Sequence, residues 1–277
     1  MYRTILAAVN ENVNSEVAAR YAKHLAHAAG AKLVICSVRE PGQPEHAFEL
    51  AREAAHRIQH SARELGVETA CLFEAGDAAE RLRSIVTARG VDLLFAAMRR
   101  REVKKRILPG KSASTRFLRL PCSVALVRVV HMGRIFPRDV LVPLKEHIEH
   151  IPERAEFIAL LAKAFEATVH LFHATRPLTR FFHGEMHLTP FEWEARIPPD
   201  IARFVGHLEG YGVGHEKRVL PGSAGKSITI EASSRRRDLI IMGASERGFL
   251  NFLLGGDTVK EVLLETPCNV IVLKPGR

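Results

Sequence analysis

"GVETACLFEAGDAAERLRSIVTARGVDLLFAAM" (residues 66–98) and "GVGHEKRVLPGSAGKSITIEASSRRRDLIIMGA" (residues 212–244) align without a gap at an offset of 146. The same offset pairs Asp92 with Asp238, Gly110 with Gly256, and "PCSVALV" from Pro121 with "PCNVIVL" from Pro267. Nearer the start, "ILAAVN" from Ile5 matches "VLVPLK" from Val140 at 135, and "AKLVICSV" from Ala31 matches "ATVHLFHA" from Ala167 at 136. A fixed period of this kind marks a duplicated structural unit. The rise in offset from 136 to 146 places ten extra residues between the second strand and second helix of the second copy. The repeat predicts one domain over residues 1–131 and another over 135–277, the latter with an insertion around 175–199.

Within one copy the apolar pattern alternates. Thr4–Val9 reads as a strand, and Ser15–Ala29 as a helix with Val17, Ala18, Tyr21, Ala22, Leu25 and Ala28 at 3,4 spacing, Ser15 as N-cap and Gly30 just past its end. Strand Lys32–Val38, a helix from about Phe48 to Leu65, strand Val67–Phe73, helix Ala78–Arg89 and strand Asp92–Ala97 follow. A short helix after Ser112 and strand Ser123–Val129 close the unit. Continuous apolar strands separated by helices imply parallel sheets covered on both faces, the α/β class, with ligands beyond the carboxyl ends of the strands.

The chain has 277 residues, enough for two cores of about 140 residues each. No apolar run approaches the roughly 18–20 residues of a membrane helix, and "MYRTILAAVN" lacks a signal-peptide core, which predicts no membrane insertion and a cytoplasmic location. Cys36, Cys71, Cys122 and Cys268 lie in strand-like runs without CxxC spacing and read as reduced, buried thiols. The net charge of +9 is uneven: 21 Lys/Arg face 13 Asp/Glu in residues 1–131, against 19 and 18 in 132–277. Arg99, Arg100, Arg101, Lys104, Lys105 and Arg106 supply much of the excess. One basic loop without aromatic residues argues against a nucleic-acid partner, which needs a basic face or stacking platforms.

The β1 start, the strand–helix alternation, "DLIIMGASERGFLNFLLGGDT" (residues 238–258) and the closing "TPCNVIVLK" (residues 266–274) resemble the universal stress protein family, and the duplication resembles its tandem two-domain members. The resemblance implies two Rossmann-like five-stranded parallel sheets, paired through their last strands, with homodimers also in scope. Many members bind ATP through an Asp ending the first strand and a Gly-x2-Gly-x9-Gly-Ser/Thr run after the fourth. Glycines of this kind let backbone N–H groups approach phosphates.

Both copies depart from that pattern. In the second, Gly243 and Gly256 keep the outer glycine positions, Gly255 and Thr258 flank the latter, Glu246 and Asp257 replace the middle glycine and the Ser/Thr, and Lys145 stands at the Asp position. In the first, Asn10 takes the Asp position, Ala97 and Arg100 replace two glycines, and Gly110 is followed by Lys111 and Ser112. Asn10, Arg100, Gly110, Lys111, Ser112, Gly243, Gly255, Gly256 and Thr258 are therefore the candidate nucleotide- or anion-binding residues, with ATP or another adenine nucleotide as the implied cofactor class. "KRILPGKS" and "LPGSAGKS" imitate a Walker loop but carry Lys105 and Leu220 at its first glycine. The Pro221–Ser227 stretch reads either as a small-anion loop or as a turn with Ser223 or Ser227 capping the next helix.

His56 with His60, and His183 with His187 around Glu185, have helical metal spacing but fall short of a three-ligand set, so no metal is expected. No nucleophile elbow or catalytic triad is recognisable. The insertion Thr175–Pro199 holds Phe181, Phe182, Phe191 and Trp193 among four prolines, and reads as a lid, an apolar contact, or a loop packed on its own helix. Three function classes follow: a non-catalytic stress or signalling adaptor with protein partners and a small anionic ligand, a nucleotide sensor or weak ATPase, and a nucleic-acid or anionic-surface binder using the basic loop. The damaged motifs favour the first, with the second as the alternative.

Overall fold

The computed structural model describes residues 2–98, 116–133, 136–175, 197–221, 224–243 and 257–276. The first half runs β1 (Thr4–Ala8), α1 (Val13–Ala29), β2 (Lys32–Arg39), α2 (Glu45–Glu64), β3 (Thr69–Ala75), α3 (Ala78–Arg89), β4 (Leu93–Ala97) and β5 (Ser123–Arg128). The second runs β6 (Asp139–Leu144), α4 (Ile151–Phe165), β7 (Thr168–Thr175), α5 (Pro199–Gly210), β8 (His215–Pro221), α6 (Ala224–Ser234), β9 (Leu239–Gly243), α7 (Asp257–Glu265) and β10 (Asn269–Lys274).

The two sets of five parallel strands form one continuous sheet in the order β3-β2-β1-β4-β5-β10-β9-β6-β7-β8. Among the described residues its only antiparallel step is the seam, where Ile271 faces Val127 and Val272 faces Leu126. The seam also holds Lys274, which is fully buried because its Nζ donates to the carbonyls of Leu120 and Cys122 at 3.0 Å each. Asn269 caps the chain leaving β5: its Oδ1 accepts from the backbone N–H of Val130 and His131 at 2.8 and 3.0 Å. Burying these polar groups is tolerable because each finds partners.

The repeat is visible in single hydrogen bonds. Asp92 accepts from the backbone N–H of Arg3 and Thr4 at 2.7 and 2.8 Å, and Asp238 accepts from Arg138 and Asp139 at 3.0 and 3.2 Å. Each carboxylate thus ties the fourth strand of its half to the start of the first.

Apolar strand residues feed two layers. One side packs α1, α2, α4 and α5, and there α1 meets α4 across the seam, with Tyr21 edge-on to Phe165 at 5.8 Å and Phe95 stacked on Phe157 at 6.0 Å. The other side packs α3, α6 and α7 over residues such as Leu94, Val124, Ile240 and Val270. Full burial of side chains of this size stabilises by roughly 1.5–3 kcal/mol each.

Several local expectations change. Asn12, not Ser15, is the N-cap of α1, because the Ser15 hydroxyl is engaged with the loop, accepting from Asn10 N–H at 3.0 Å and donating to Asn12 O at 2.7 Å. Gly30 does end α1 in the left-handed conformation, φ 61°, which glycine adopts without a Cβ penalty. Helix α2 starts at Glu45 rather than near Phe48, and β3 runs two residues later at each end than the apolar stretch suggested. Helix α6 begins at Ala224, so Ser227 lies inside it and caps nothing; Ser223 lies outside the described residues. Cys36, Cys122 and Cys268 are buried and Cys71 is half-buried, all as free thiols.

Candidate functional site

Each half has a cleft at the carboxyl ends of its strands, where the chain leaves the first strand on one side and the fourth on the other. The first cleft, of about 320 Å³, lies among Asn10, Glu11, Ser15, Cys36, Glu40, Gln43 and Ala97. The Asn10 carboxamide is turned on its own loop: its Oδ1 accepts from Asn12 N–H at 2.9 Å and from Asn12 Nδ2 at 3.3 Å, an Asx turn. Gln43 Nε2 donates to Glu11 at 3.0 Å. Two carboxylates, Glu11 and Glu40, therefore stand at this cleft. Burial pushes the Cys36 thiol up to about 12, so it is a packing residue rather than a nucleophile.

The second cleft is larger, about 550 Å³. Its floor is apolar, with Ile158, Phe172, Phe204, Ile228, Ile241, Met242 and Leu273, and its mouth holds Lys145, Glu146, His147, Glu149 and Thr258. The loop between β6 and α4 is pinned by Asp200, at the start of α5, which accepts from Ile148 N–H at 3.0 Å and bonds His147 Nδ1 at 2.9 Å. The Ile148 N–H bond, with His147 beside it, holds the Asp200 carboxyl below the usual carboxylate range.

Arg154, in the first turn of α4, sends its guanidinium into this cleft and lays it on Gly243, the last residue of β9. A Cβ on Gly243 would lie 1.3 Å from Arg154 Nη1 and 2.5 Å from its Cζ, so no larger residue fits there while Arg154 holds this position. Burial draws the Arg154 pKa down from the arginine range, with Glu149 and Glu153 acting the other way; an arginine remains charged under such a perturbation. The repeat explains the pairing. Arg154 occupies the position of Ala18 and Gly243 that of Ala97, so the first half has two small side chains where the second has one long cation over a bare backbone.

His173 of β7 also lines the cleft and is buried, 6% exposed. Its Nδ1 lies 3.0 Å from the carbonyl of Leu144. A carbonyl only accepts, so Nδ1 carries the proton and Nε2 is the nitrogen left for another partner.

Of the candidate residues, Asn10 stands at the first cleft and Gly243 and Thr258 at the second; Arg100, Gly110, Lys111, Ser112, Gly255 and Gly256 lie outside the described residues, as do the basic loop from Arg99 and most of the insertion. Arg154 and His173 were missed by reading motifs, since neither belongs to a phosphate loop. Comparing the copies at two offsets gives the signal, Ala18 to Arg154 and Ala97 to Gly243. Among the described residues no three His, Cys, Asp or Glu are grouped to hold a metal, and no helix is long and apolar enough to cross a membrane. His56 instead packs on the Phe73 ring at 5.3 Å, and His60 lies 3.3 Å from Glu64.

The fold is shared widely. A universal stress protein from Archaeoglobus fulgidus DSM 4304 superposes with a TM-score of 0.65 at 17% identity, covering 99% of this chain and 96% of that one. A functionally unknown protein from Pseudomonas aeruginosa PAO1 gives 0.64 at 20% identity, with 99% and 93% covered. No curated protein matches the chain. The model of the universal stress protein family matches twice, over residues 1–128 and 138–274, one match for each half of the sheet. The chain therefore belongs to the universal stress protein family, as a tandem member with two copies of its fold.

Proposed function

We propose that this protein is a non-catalytic stress-response or signalling adaptor in which neither cleft works as a glycine-lined triphosphate cradle. The observation that carries the reading is the guanidinium on Gly243. In a phosphate loop a glycine leaves its backbone open to the ligand; here the space over that glycine is taken by a side chain of the same protein. In the first cleft Ala97 keeps its Cβ, the Asn10 carboxamide is spent on its own turn, and the Glu11 carboxylate repels a polyanion. At an effective dielectric of about 20, each close like-charge contact costs roughly a few kcal/mol. Protein partners then meet a ten-stranded platform whose two halves are already paired within one chain.

A second reading, an adenine-nucleotide sensor, is favoured by one feature: the second cleft, at about 550 Å³ with Arg154 and Lys145 beside it, falls in the range of small-molecule sites. Denaturing the purified protein and identifying released small molecules by mass spectrometry separates the two. The adaptor reading expects no stoichiometric ATP or ADP, and no calorimetric response to added MgATP. Stoichiometric nucleotide would overturn it.

A further inference from the structure

We infer that the corner of the second half beneath the last turn of α6 is a site for one tetrahedral oxyanion, a phosphoryl group by its chemistry. The corner lies at the amino ends of β6 to β9, at the other end of the strands from the two clefts, and stands whichever way those clefts are read.

Size comes first. A cavity of about 190 Å³ opens there between β7, β8 and α6, bordered by His170, Glu216, Arg218, Glu231, Arg235 and Arg237. Pockets that take organic ligands run to roughly 300–1,000 Å³, so this one suits an ion or a single phosphoryl head. Lys217 also borders it and lies 3.9 Å from Glu209. The donors follow. The Arg237 side chain is 9% exposed, and its Nε has no hydrogen-bond partner among the described residues. A buried donor left in this way is costly, and an oxyanion supplies the acceptor. Arg218 Nη1 lies 3.6 Å from Glu231, beyond hydrogen-bonding distance, so its fork of N–H donors has room for the same anion. The acids of the corner are already answered: Glu231 lies 3.3 Å from Arg237, and Asp139 and Glu216 flank the two ring nitrogens of His170 at 2.7 and 3.0 Å. Arg235 and Arg236, both exposed, form no ion pair among the described residues, and they are the cations left over. The repeat shows that they were added. The first half turns from its third helix to its fourth strand through Arg89, Gly90 and Val91, where the second has Arg235, Arg236 and Arg237. Gly90 has φ 59° and Arg236 φ 51°, so an arginine is kept at a left-handed position that glycine fills without strain.

The test uses the full-length protein in calorimetry and thermal-shift titrations with inorganic phosphate, sulfate and O-phosphoserine, at an ionic strength held constant with chloride. Millimolar phosphate is expected to bind with one-to-one stoichiometry and to raise the melting temperature above that in chloride. R235Q/R236G removes the two unpaired cations without touching the buried network, and is expected to weaken binding at least about fivefold. R89Q, the counterpart of the Arg235 change in the first half, is expected to leave it unchanged. Phosphoserine binding at least as tightly as phosphate, through the same arginines, assigns the phosphoryl group to a partner's side chain; weaker binding assigns it to the free ion. No heat and no melting shift beyond chloride overturns the proposal. So does undiminished phosphate binding in R235Q/R236G, which would put the ion elsewhere, or an equal loss in R89Q, which would make the effect one of general charge. None of these results alters the expected outcome with MgATP, so the two readings fail separately.

Discussion

The two halves share strand order, register and the carboxylate that ties each fourth strand to the first, yet one patch on one face of the sheet has opposite character in them. Under α3, positions Thr4, Val34, Ala70, Leu72, Ile85 and Val91 are mostly apolar, and Val34, Ile85 and Val91 are buried. At the same positions the second half has Asp139, His170, Glu216, Arg218, Glu231 and Arg237. These form a network under α6: His170 lies 2.7 Å from Asp139 and 3.0 Å from Glu216, Arg237 spans Asp139 and Glu231 at 3.5 and 3.3 Å, and Arg218 lies 3.6 Å from Glu231. The fold survives because its architecture depends on the strand pairing and on the opposite core layer, which is apolar in both halves. Its stability need not have survived equally. A network with Glu231 4% and the Arg237 side chain 9% exposed, and with Arg237 Nε lacking a partner among the described residues, costs desolvation that an apolar layer does not.

That difference can be broken from either side. Arg237→Leu leaves the buried Glu231 carboxylate with Arg218, 3.6 Å away, as its ion-pair partner among the described residues, and is expected to cost about 3–5 kcal/mol in urea denaturation. Installing all six residues of the first half at once (D139T, H170V, E216A, R218L, E231I and R237V) is expected to be neutral or to stabilise by about 1–4 kcal/mol. A loss of several kcal/mol from the sixfold exchange would mean that the network contributes more than the apolar layer it replaced.

The cleft comparison rests on a smaller pair. Gly243→Ala forces Arg154 off the cleft wall or shifts β9, with an expected cost of about 1–3 kcal/mol. Arg154→Ala/Gly243→Ala restores the Ala/Ala combination of the first half, so the penalty of the glycine change should vanish in that background. A double-mutant cycle with no coupling would show that the two residues changed independently.

How much of this is legible in the sequence follows from what a repeat can encode. Alignment of the copies placed the strands, the seam strands "SVALV" and "NVIVL", and Asp92 with Asp238, because those positions serve the same backbone need twice. It also displayed His170 against Val34 and Arg237 against Val91, but not that they meet: Asp139, His170 and Arg237 are brought together only by sheet register and by the turn after α6. Strand β8, "HEKRVLP", is polar for the same reason, since Glu216 and Arg218 answer groups on neighbouring elements. Motif reading took Gly243 as a phosphate glycine, since the identity of a glycine does not say which atom needs the room. Ser15 was misplaced as a cap because Asn12 and Ser15 are equally good capping residues one turn apart, and only the loop from Asn10 decides between them.

The smallest expected effect concerns the contact between α1 and α4, and it carries a sign. His24 stands where the second half has Leu160. Its ring packs at 5.0 Å from Phe165 and 5.3 Å from Phe136. Burial, reinforced by Lys23 and His27, lowers its pKa from 6.5 to about 4. The folded state thus keeps His24 neutral while the unfolded chain takes up the proton first. Its contribution is fully present above pH 6.5 and is lost as the pH falls toward 4. One proton bounds the slope at about 1.4 kcal/mol per pH unit, and the partial exposure of the ring brings it below that bound. His24→Leu, which copies the second half, should flatten the stability profile between pH 6.5 and 4 while leaving it nearly unchanged at pH 8. An unaltered slope in the variant would assign the acid sensitivity to other groups and leave His24 as a shape-filling ring, like the leucine at its counterpart.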